Sequence, residues 1–363
     1  MPERPHLHLP SPGSRRATVV GAGSFGTAVA VLLARGGLRT TLQARTADQA
    51  ERLGRVRENT VYLPGVDLPR ELRIEATSSG LSRTDYVFLG IPSGDLDGVI
   101  AGLDAAGLPA RAAVVSLAKG VVPPDGVAPT VLLRASLGAA RVACIGGPAH
   151  AGEMVGEGAG LVAASTDEAL AVALADVFTQ AGVVCERSSD PVGVELAGAA
   201  KNAAALAAGA TQRQGLNAAG AAAGHIFAEV WRFADAQGAR PESLIGLAGT
   251  GDLVATALAP LSRNRRAGEL LADGVPAVDI SRHVDQAVEA LDSVPLLARA
   301  LQRARIEAPV TEALGRLISG RLPLAEWVDL VRTTVPPPAR FEREAGPFRH
   351  LWGRMRAGLR RSE

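Results

Sequence analysis

The chain has 363 residues, enough for two domains at roughly 100 to 200 residues each. Hydrophobic residues make up 47% and charged residues 21%, a balance that excludes global disorder and allows a sizeable core. A formal net charge of +1 excludes a nucleic-acid partner captured by bulk charge, so any anionic ligand needs a local site.

In chain order, residues 1–16 are Pro-rich and polar, lack the apolar core of a secretory signal, and are expected to be a flexible lead-in. Ala17 to Val20 reads as a short buried strand, followed by Gly21-Ala22-Gly23-Ser24-Phe25-Gly26 and an apolar helical run from Thr27 to Ala34. A second strand, Arg39 to Ala44, completes a βαβ unit. Further strand-like runs are Tyr86 to Leu89, Ala113 to Leu117, Arg141 to Ile145, Gly160 to Ala164 and Val183 to Glu186. This alternation predicts an α/β, Rossmann-like N-terminal domain over 17–189, with a mostly parallel sheet and helices on both faces.

The character changes at Ser188-Ser189-Asp190-Pro191, a good helix start with proline in the first turn. From there the pattern is Ala-rich and helical, which predicts an all-α domain over 190–332 without a solenoid repeat. The Ala-rich stretch from Gly198 to Val230 is interrupted by Lys201, Asn202, Gln212, Arg213 and Gln214, so it is expected to be a core helix pair and not a membrane span. Residues 333–363 form a Pro-rich segment and a basic tail, whose arginines around Phe348, Leu351 and Trp352 raise contact with an anionic membrane as a minor reading. Cys144 and Cys185 have no CxxC spacing and are expected to be buried thiols in a reducing cytoplasm.

A GxGxxG pattern is a weak signal among 41 glycines, but here it follows a strand and opens a helix. Gly21 then makes the tight turn, Gly23 admits a pyrophosphate, and Gly26 lets helix and sheet pack closely, with the anion on the helix N-terminus. The end of the second strand carries Arg45 and no acid before Asp48, which predicts that NADP(H) is accepted beside NAD(H) and leaves open a preference for NADP(H).

Of 38 basic residues only Lys119 and Lys201 are lysine. A chain that uses arginine wherever charge suffices keeps lysine where a proton must be released, because arginine cannot release one at useful pH. The four asparagines are equally sparse, and Asn202 and Asn264 sit beside other candidate residues. A turn or cap role is at least as good a reading for Asn59 and Asn217.

Taken together, these residues resemble the NAD(P)-dependent glycerol-3-phosphate dehydrogenases from about Ala17 to Leu330. The resemblance runs through Gly21 to Ala28, Asn59 with Tyr62-Leu63-Pro64-Gly65, Ile91-Pro92-Ser93, Ala118-Lys119-Gly120 and Gly146-Gly147-Pro148. It continues through Ala200-Lys201-Asn202, Gly251-Asp252-Leu253 and Ser262-Arg263-Asn264-Arg265. It implies reversible reduction of dihydroxyacetone phosphate to sn-glycerol 3-phosphate, supplying glycerol phosphate for phospholipid synthesis, in a homodimer. Lys201 on an apolar helix is the expected proton-transferring residue, its pKa lowered by desolvation. Coenzyme contacts implied by the resemblance are Ser24, Phe25, Pro92, Lys119, Ala151, Arg263 and Glu289, beside the glycines and Arg45. Substrate contacts are Lys119, Gly147, Asn202, Asp252, Ser262, Arg263 and Asn264, with Asp252 holding a substrate hydroxyl or orienting Lys201.

Ala149 stands where the family commonly has Ser or Thr, Ala219 and His225 stand where arginine is frequent, and Ala290 follows Glu289 where glycine is usual. A lost hydrogen bond to a charged group costs about 1.5 to 3 kcal/mol, enough to redirect substrate choice. Two alternatives therefore stay open: a paralogue acting on another phosphorylated ketone or hydroxy acid, and a dinucleotide-binding regulator without catalysis. His225 is read as a packed helical residue, and no histidine or cysteine cluster suggests a metal.

Overall fold

Among the described residues ten strands form in chain order: β1 Arg16–Val20, β2 Arg39–Ala44, β3 Glu58–Asn59, β4 Leu63–Asp67, β5 Arg73–Ala76, β6 Tyr86–Leu89, β7 Ala113–Ser116, β8 Val142–Gly146, β9 Gly160–Ser165 and β10 Val184–Ser188. The structure, a computed structural model, describes residues 15–137, 141–259, 262–284 and 287–337. Eight strands make one sheet in the order β10-β9-β8-β7-β6-β1-β2-β5, while β3 and β4 pair as a separate antiparallel hairpin. Within the large sheet every pairing is parallel except β8 with β9. β1 pairs with β2 on one side and β6 on the other, so the chain reverses its direction of winding there and leaves a crevice at the strand ends.

Helices of the sheet layer are α1 Ser24–Arg35, α2 Ala47–Val56, α3 Leu96–Leu103, α4 Pro129–Leu137, α5 Ala151–Gly156 and α6 Glu168–Gln180. The two-residue period of a strand sends alternate side chains to opposite faces. Phe88 on β6 joins Leu32 and Leu33 of α1 and Phe178 of α6 on one face. Its neighbours Val87 and Leu89 join Leu96 and Ile100 of α3 and Leu133 of α4 on the other. Helices thus cover both faces, as the near-continuous apolar runs required.

After β10 every described element is helical: α7 Pro191–Thr211, α8 Leu216–Ala236, α9 Pro241–Ile245, α10 Asp252–Leu258, α11 Arg263–Ala272, α12 Ala277–Val284, α13 Glu289–Arg303, α14 Pro309–Ile318 and α15 Leu324–Thr333. α7 starts where expected, with Pro191 in its first turn and the Asp190 carboxylate accepting from the Gly193 amide at 2.8 Å. Its Ala-rich body is buried nearly throughout and packs with Ile226, Val230, Leu297, Leu314 and Trp327. Two buried glutamates cap helices from outside. Glu195 accepts from the amide and hydroxyl of Thr130 at the start of α4, and Glu229 does the same for Thr311 at the start of α14. Both pKa values are raised by burial, that of Glu195 to about 8.

Several expectations need correction. β1 begins at Arg16, inside the stretch assigned to the lead-in, because its amide binds the Asp85 carboxylate and its backbone registers with Arg39. β3, β4 and β5 were not expected. Cys144 is buried but Cys185 is only half-buried, near the sheet edge, its thiol pushed up to about 12 by burial. Residues 1–14 and the basic tail from 338 lie outside the described residues, and by contacts the chain divides after Arg332. Among the described residues no helix is long and apolar enough to cross a membrane.

Candidate active site

The glycine turn sits between β1 and α1, above the reversal of the sheet. Gly21 has φ +107°, and a Cβ there would lie 2.4 Å from the Gly90 carbonyl oxygen, so only glycine fits. A Cβ on Gly26 would lie 2.1 Å from the Gly21 oxygen, which explains the close seating of helix on turn. Gly23 borders open space and is the N-cap of α1, with no side chain occupying the first amides of the helix, where Ser24 and Phe25 lie. That opening, with free N–H groups and the positive end of the helix dipole, fits the pyrophosphate of a dinucleotide. Arg45 is exposed at the end of β2, Pro92 is exposed just after β6, and Ala151 is the first residue of α5.

The two lysines meet over one carboxylate. Lys119, in the loop after β7, donates from Nζ to Asp252 Oδ2 and to the Gly147 carbonyl, each at 2.8 Å. The same nitrogen stands 5.4 Å from the centroid of the Phe25 ring, within reach of a cation–π attraction. Lys201, at the middle of α7, places Nζ 3.3 Å from Asp252 Oδ1 and donates to Thr256 Oγ1 at 3.2 Å. Asp252 opens α10, and Thr256 lies four residues on, hence on the same helix face, with its hydroxyl 3.4 Å from Asp252 Oδ1. Sequence reading missed Thr256, although that spacing was a usable signal.

All three charged side chains are largely withdrawn from water: 9% exposed for Lys201, 13% for Lys119 and 3% for Asp252. Desolvation is the main force on Lys201 and the Lys119 charge acts with it, while Asp252 opposes them. The result is a pKa lowered to about 8. For Asp252 burial works upward, but the Lys119 and Lys201 ammonium groups outweigh it and hold the carboxyl below its ordinary value. An amine that titrates near neutral pH beside a fixed carboxylate can give up a proton and take it back.

A chain of amides extends the cluster. Asn202 donates from Nδ2 to the Lys119 carbonyl at 2.9 Å and to Glu289 Oε2 at 3.0 Å, and its Oδ1 accepts from Asn264 at 2.7 Å. Asn264 Oδ1 in turn accepts from the Ala290 amide at 3.3 Å, so α7, α11 and α13 are tied together. Ser262, expected to offer a hydroxyl to substrate, is the N-cap of α11 and accepts from the Arg265 amide. Arg263 to Arg266 form the first turn of that helix; Arg263 is exposed and donates to the Ala287 carbonyl at 3.0 Å. Gly147, Phe25, Lys119, Lys201, Asn202, Asp252, Asn264 and Glu289 therefore form one connected set. Arg45, Pro92, Ala151, Ser262 and Arg263 have no direct hydrogen bond to it among the described contacts.

A glycine turn at the reversal of a mostly parallel sheet, joined through Phe25 and Lys119 to a buried ionisable cluster, fits a dinucleotide-dependent oxidoreductase. The model of the NAD-dependent glycerol-3-phosphate dehydrogenase N-terminus matches residues 16–171, and that of the C-terminus matches 190–329. The chain belongs to the NAD-dependent glycerol-3-phosphate dehydrogenase family. It is 38% identical over 333 residues to the glycerol-3-phosphate dehydrogenase [NAD(P)+] of Deinococcus radiodurans, covering 90% of this chain and 97% of that one. The enzyme of the same description from Methylibium petroleiphilum is 36% identical over 322 residues, covering 86% and 95%. The crystal structure of glycerol-3-phosphate dehydrogenase from Coxiella burnetii superposes with a TM-score of 0.83 at 28% identity, covering 89% of this chain and all of that one.

Proposed function

We propose that this chain catalyses the reversible reduction of dihydroxyacetone phosphate to sn-glycerol 3-phosphate with NAD(P)H, and that Lys201 handles the proton. Family membership over both parts of the chain supports the reaction class. The observation that carries the assignment of Lys201 is its burial against Asp252, beside a second lysine that reaches the glycine turn.

When bound, the nicotinamide coenzyme supplies the hydride. Gly21, Gly23, Ser24, Phe25 and Gly26 hold its pyrophosphate side, and Arg45 is placed to meet a 2′-phosphate. Pro92, Lys119, Ala151, Arg263 and Glu289 line the rest of its path. Lys201 in its protonated form donates from Nζ to the oxygen of the substrate carbonyl as the carbon is reduced, and in the reverse direction neutral Lys201 takes the hydroxyl proton. Asp252 keeps the amine turned inward and balances its charge, while Thr256 supplies a second acceptor. Lys119, Gly147, Asn202 and Asn264 position the substrate, and Ser262 and Arg263 form the helix start that receives its phosphate. A helix N-terminus with a guanidinium beside it suits a phosphate dianion.

The division into a coenzyme domain over 17–189 and a substrate domain over 190–332 belongs to the same proposal, supported by the spans of the two family models. So does a cytoplasmic location, supported by two free cysteines without paired spacing. The test is NAD(P)H oxidation with dihydroxyacetone phosphate set against unphosphorylated dihydroxyacetone and 2-keto acids. Turnover of dihydroxyacetone phosphate with an advantage of 100-fold or more is the expected result. Turnover of another ketone alone would overturn the substrate assignment.

A further inference from the structure

Asn59 belongs to a signature near the glycine turn, yet the reaction assigns it nothing. Its environment gives it a task. Asn59 is 2% exposed and sits on the short strand β3, in a hairpin that packs near α1 and α5. The hairpin is stapled to its surroundings. Arg57, in the left-handed region at φ 56°, donates to the carbonyls of Leu68, Pro69 and Leu72, and its own carbonyl accepts from the Leu68 amide at 2.8 Å. Glu58 accepts from the Gly65 amide at 2.8 Å across the same hairpin. This excursion lies between β2 and β5 and adds no strand to the large sheet.

What the hairpin delivers is one amide group beneath the glycine turn. Asn59 Nδ2 donates both its hydrogens, to the Ala22 carbonyl at 3.0 Å and to Thr27 Oγ1 at 2.8 Å. A backbone carbonyl can only accept, so the nitrogen must be the atom that faces it. The carbonyl of Ala22 and the N–H of Gly23 belong to one planar trans peptide and point in opposite directions. Holding the oxygen toward Asn59 therefore turns the Gly23 N–H away from the hairpin. It also removes from the anion side the one group of that peptide that would repel a phosphate.

We propose that Asn59 is a positioning residue for coenzyme binding: through Ala22 and Thr27 it fixes the Ala22–Gly23 peptide so that the Gly23 N–H is presented to the coenzyme pyrophosphate. The inference rests on the glycine turn being the pyrophosphate site. Thr27 is the second anchor, because its hydroxyl takes the other hydrogen and sits in the first turns of α1 while fully buried. A residue that merely filled space there would be replaceable by a neutral isostere.

The experiment measures the Kd of the full chain for NADH, NADPH and ADP-ribose in wild type, Asn59→Asp, Asn59→Leu, Thr27→Val and Thr27→Ser. Both Asn59 variants are expected to weaken all three ligands at least tenfold. Thr27→Val should weaken them about threefold or more, and Thr27→Ser should bind like wild type. Turnover at saturating coenzyme should fall far less than affinity in the Asn59 variants, which a general loss of structure would not produce. Asn59→Leu binding within twofold of wild type would overturn the proposal, since an effect confined to Asn59→Asp reports only an added charge. If neither Asn59 variant folds, equal affinities of Thr27→Val and Thr27→Ser would overturn it, and a loss confined to Thr27→Val would support it. Failure of the wild type to bind any of these ligands would instead reject the reading of the glycine turn itself, and this proposal with it.

Discussion

Lys119 and Lys201, the two lysines of the chain, approach different oxygens of the single Asp252 carboxylate, at 2.8 Å and 3.3 Å. Two ammonium groups share this one carboxylate in a site nearly closed to water, and Glu289, bonded to Asn202, is the next negative charge in the network. Burial and the Lys119 charge lower the pKa of Lys201 to about 8 against the pull of Asp252.

This fixes the sign of a pH dependence. Reduction of the ketone needs protonated Lys201, so its kcat is expected to fall as pH rises through about 8, while the oxidation of sn-glycerol 3-phosphate rises over the same interval. Rate profiles in both directions, taken at saturating ligands, check this. A reductive rate flat from pH 6 to 10 would contradict it.

Removing the charge of Asp252 takes away the main influence holding a proton on Lys201. Asp252→Asn is therefore expected to move the alkaline limb of reduction to lower pH, and to lower kcat at pH 7 by about 10²-fold or more. It also leaves two buried amines without their counter-charge, which costs on the order of 3 kcal/mol of stability where both remain protonated. The shifted limb separates the electrostatic role from simple damage.

Thr256 takes a hydrogen bond from Lys201 Nζ at 3.2 Å and sits 3.4 Å from Asp252 Oδ1. Thr256→Val keeps the volume and removes the acceptor, so kcat is expected to drop roughly tenfold to a hundredfold, while Thr256→Ser restores most of it. Steady-state kinetics of the pair decide the point.

How far the site could be read from the sequence follows from what each residue signals. The lysines were legible because they are rare, and the glycine turn because a strand and a helix flank it. Thr256 was hidden in an ordinary apolar run, where only its distance from Asp252 marks it. Ser262 and Asn264 were legible as a polar segment, but not their partners. Ser262 caps α11 through a local contact with the Arg265 amide, whereas Asn264 is bonded to Asn202 and Ala290, contacts that only tertiary packing creates.

The fold divides in the same way. β6, β7 and β9 are buried apolar runs and announced themselves. β4 contains Pro64 and Gly65, which break any strand pattern, and β3 is two residues long, so the Asn59 hairpin left no trace in apolar periodicity. The antiparallel pairing of β8 with β9 was not legible either, because a period of two carries no strand direction.

Glu195 gives a stability prediction with a definite sign. Its folded pKa of about 8 stands above the ordinary 4.5, so the folded protein holds a proton that the unfolded chain has lost between those values. Its contribution to stability is then full below about pH 4.5 and is lost as pH rises through about 8, by a total on the order of 5 kcal/mol for a fully buried group. Glu195→Gln, a mimic of the protonated acid, should flatten that decline. Urea unfolding at several pH values measures it, and equal slopes in the two proteins would contradict it.

The account as a whole turns on the amine of Lys201. The most direct measurement is the turnover number of Lys201→Ala with dihydroxyacetone phosphate at saturating coenzyme, alongside its Kd for NADH. A loss of about 10³-fold or more, with Kd within a few-fold of wild type, is the predicted result. Turnover within tenfold of wild type would contradict the assignment of the proton to this residue.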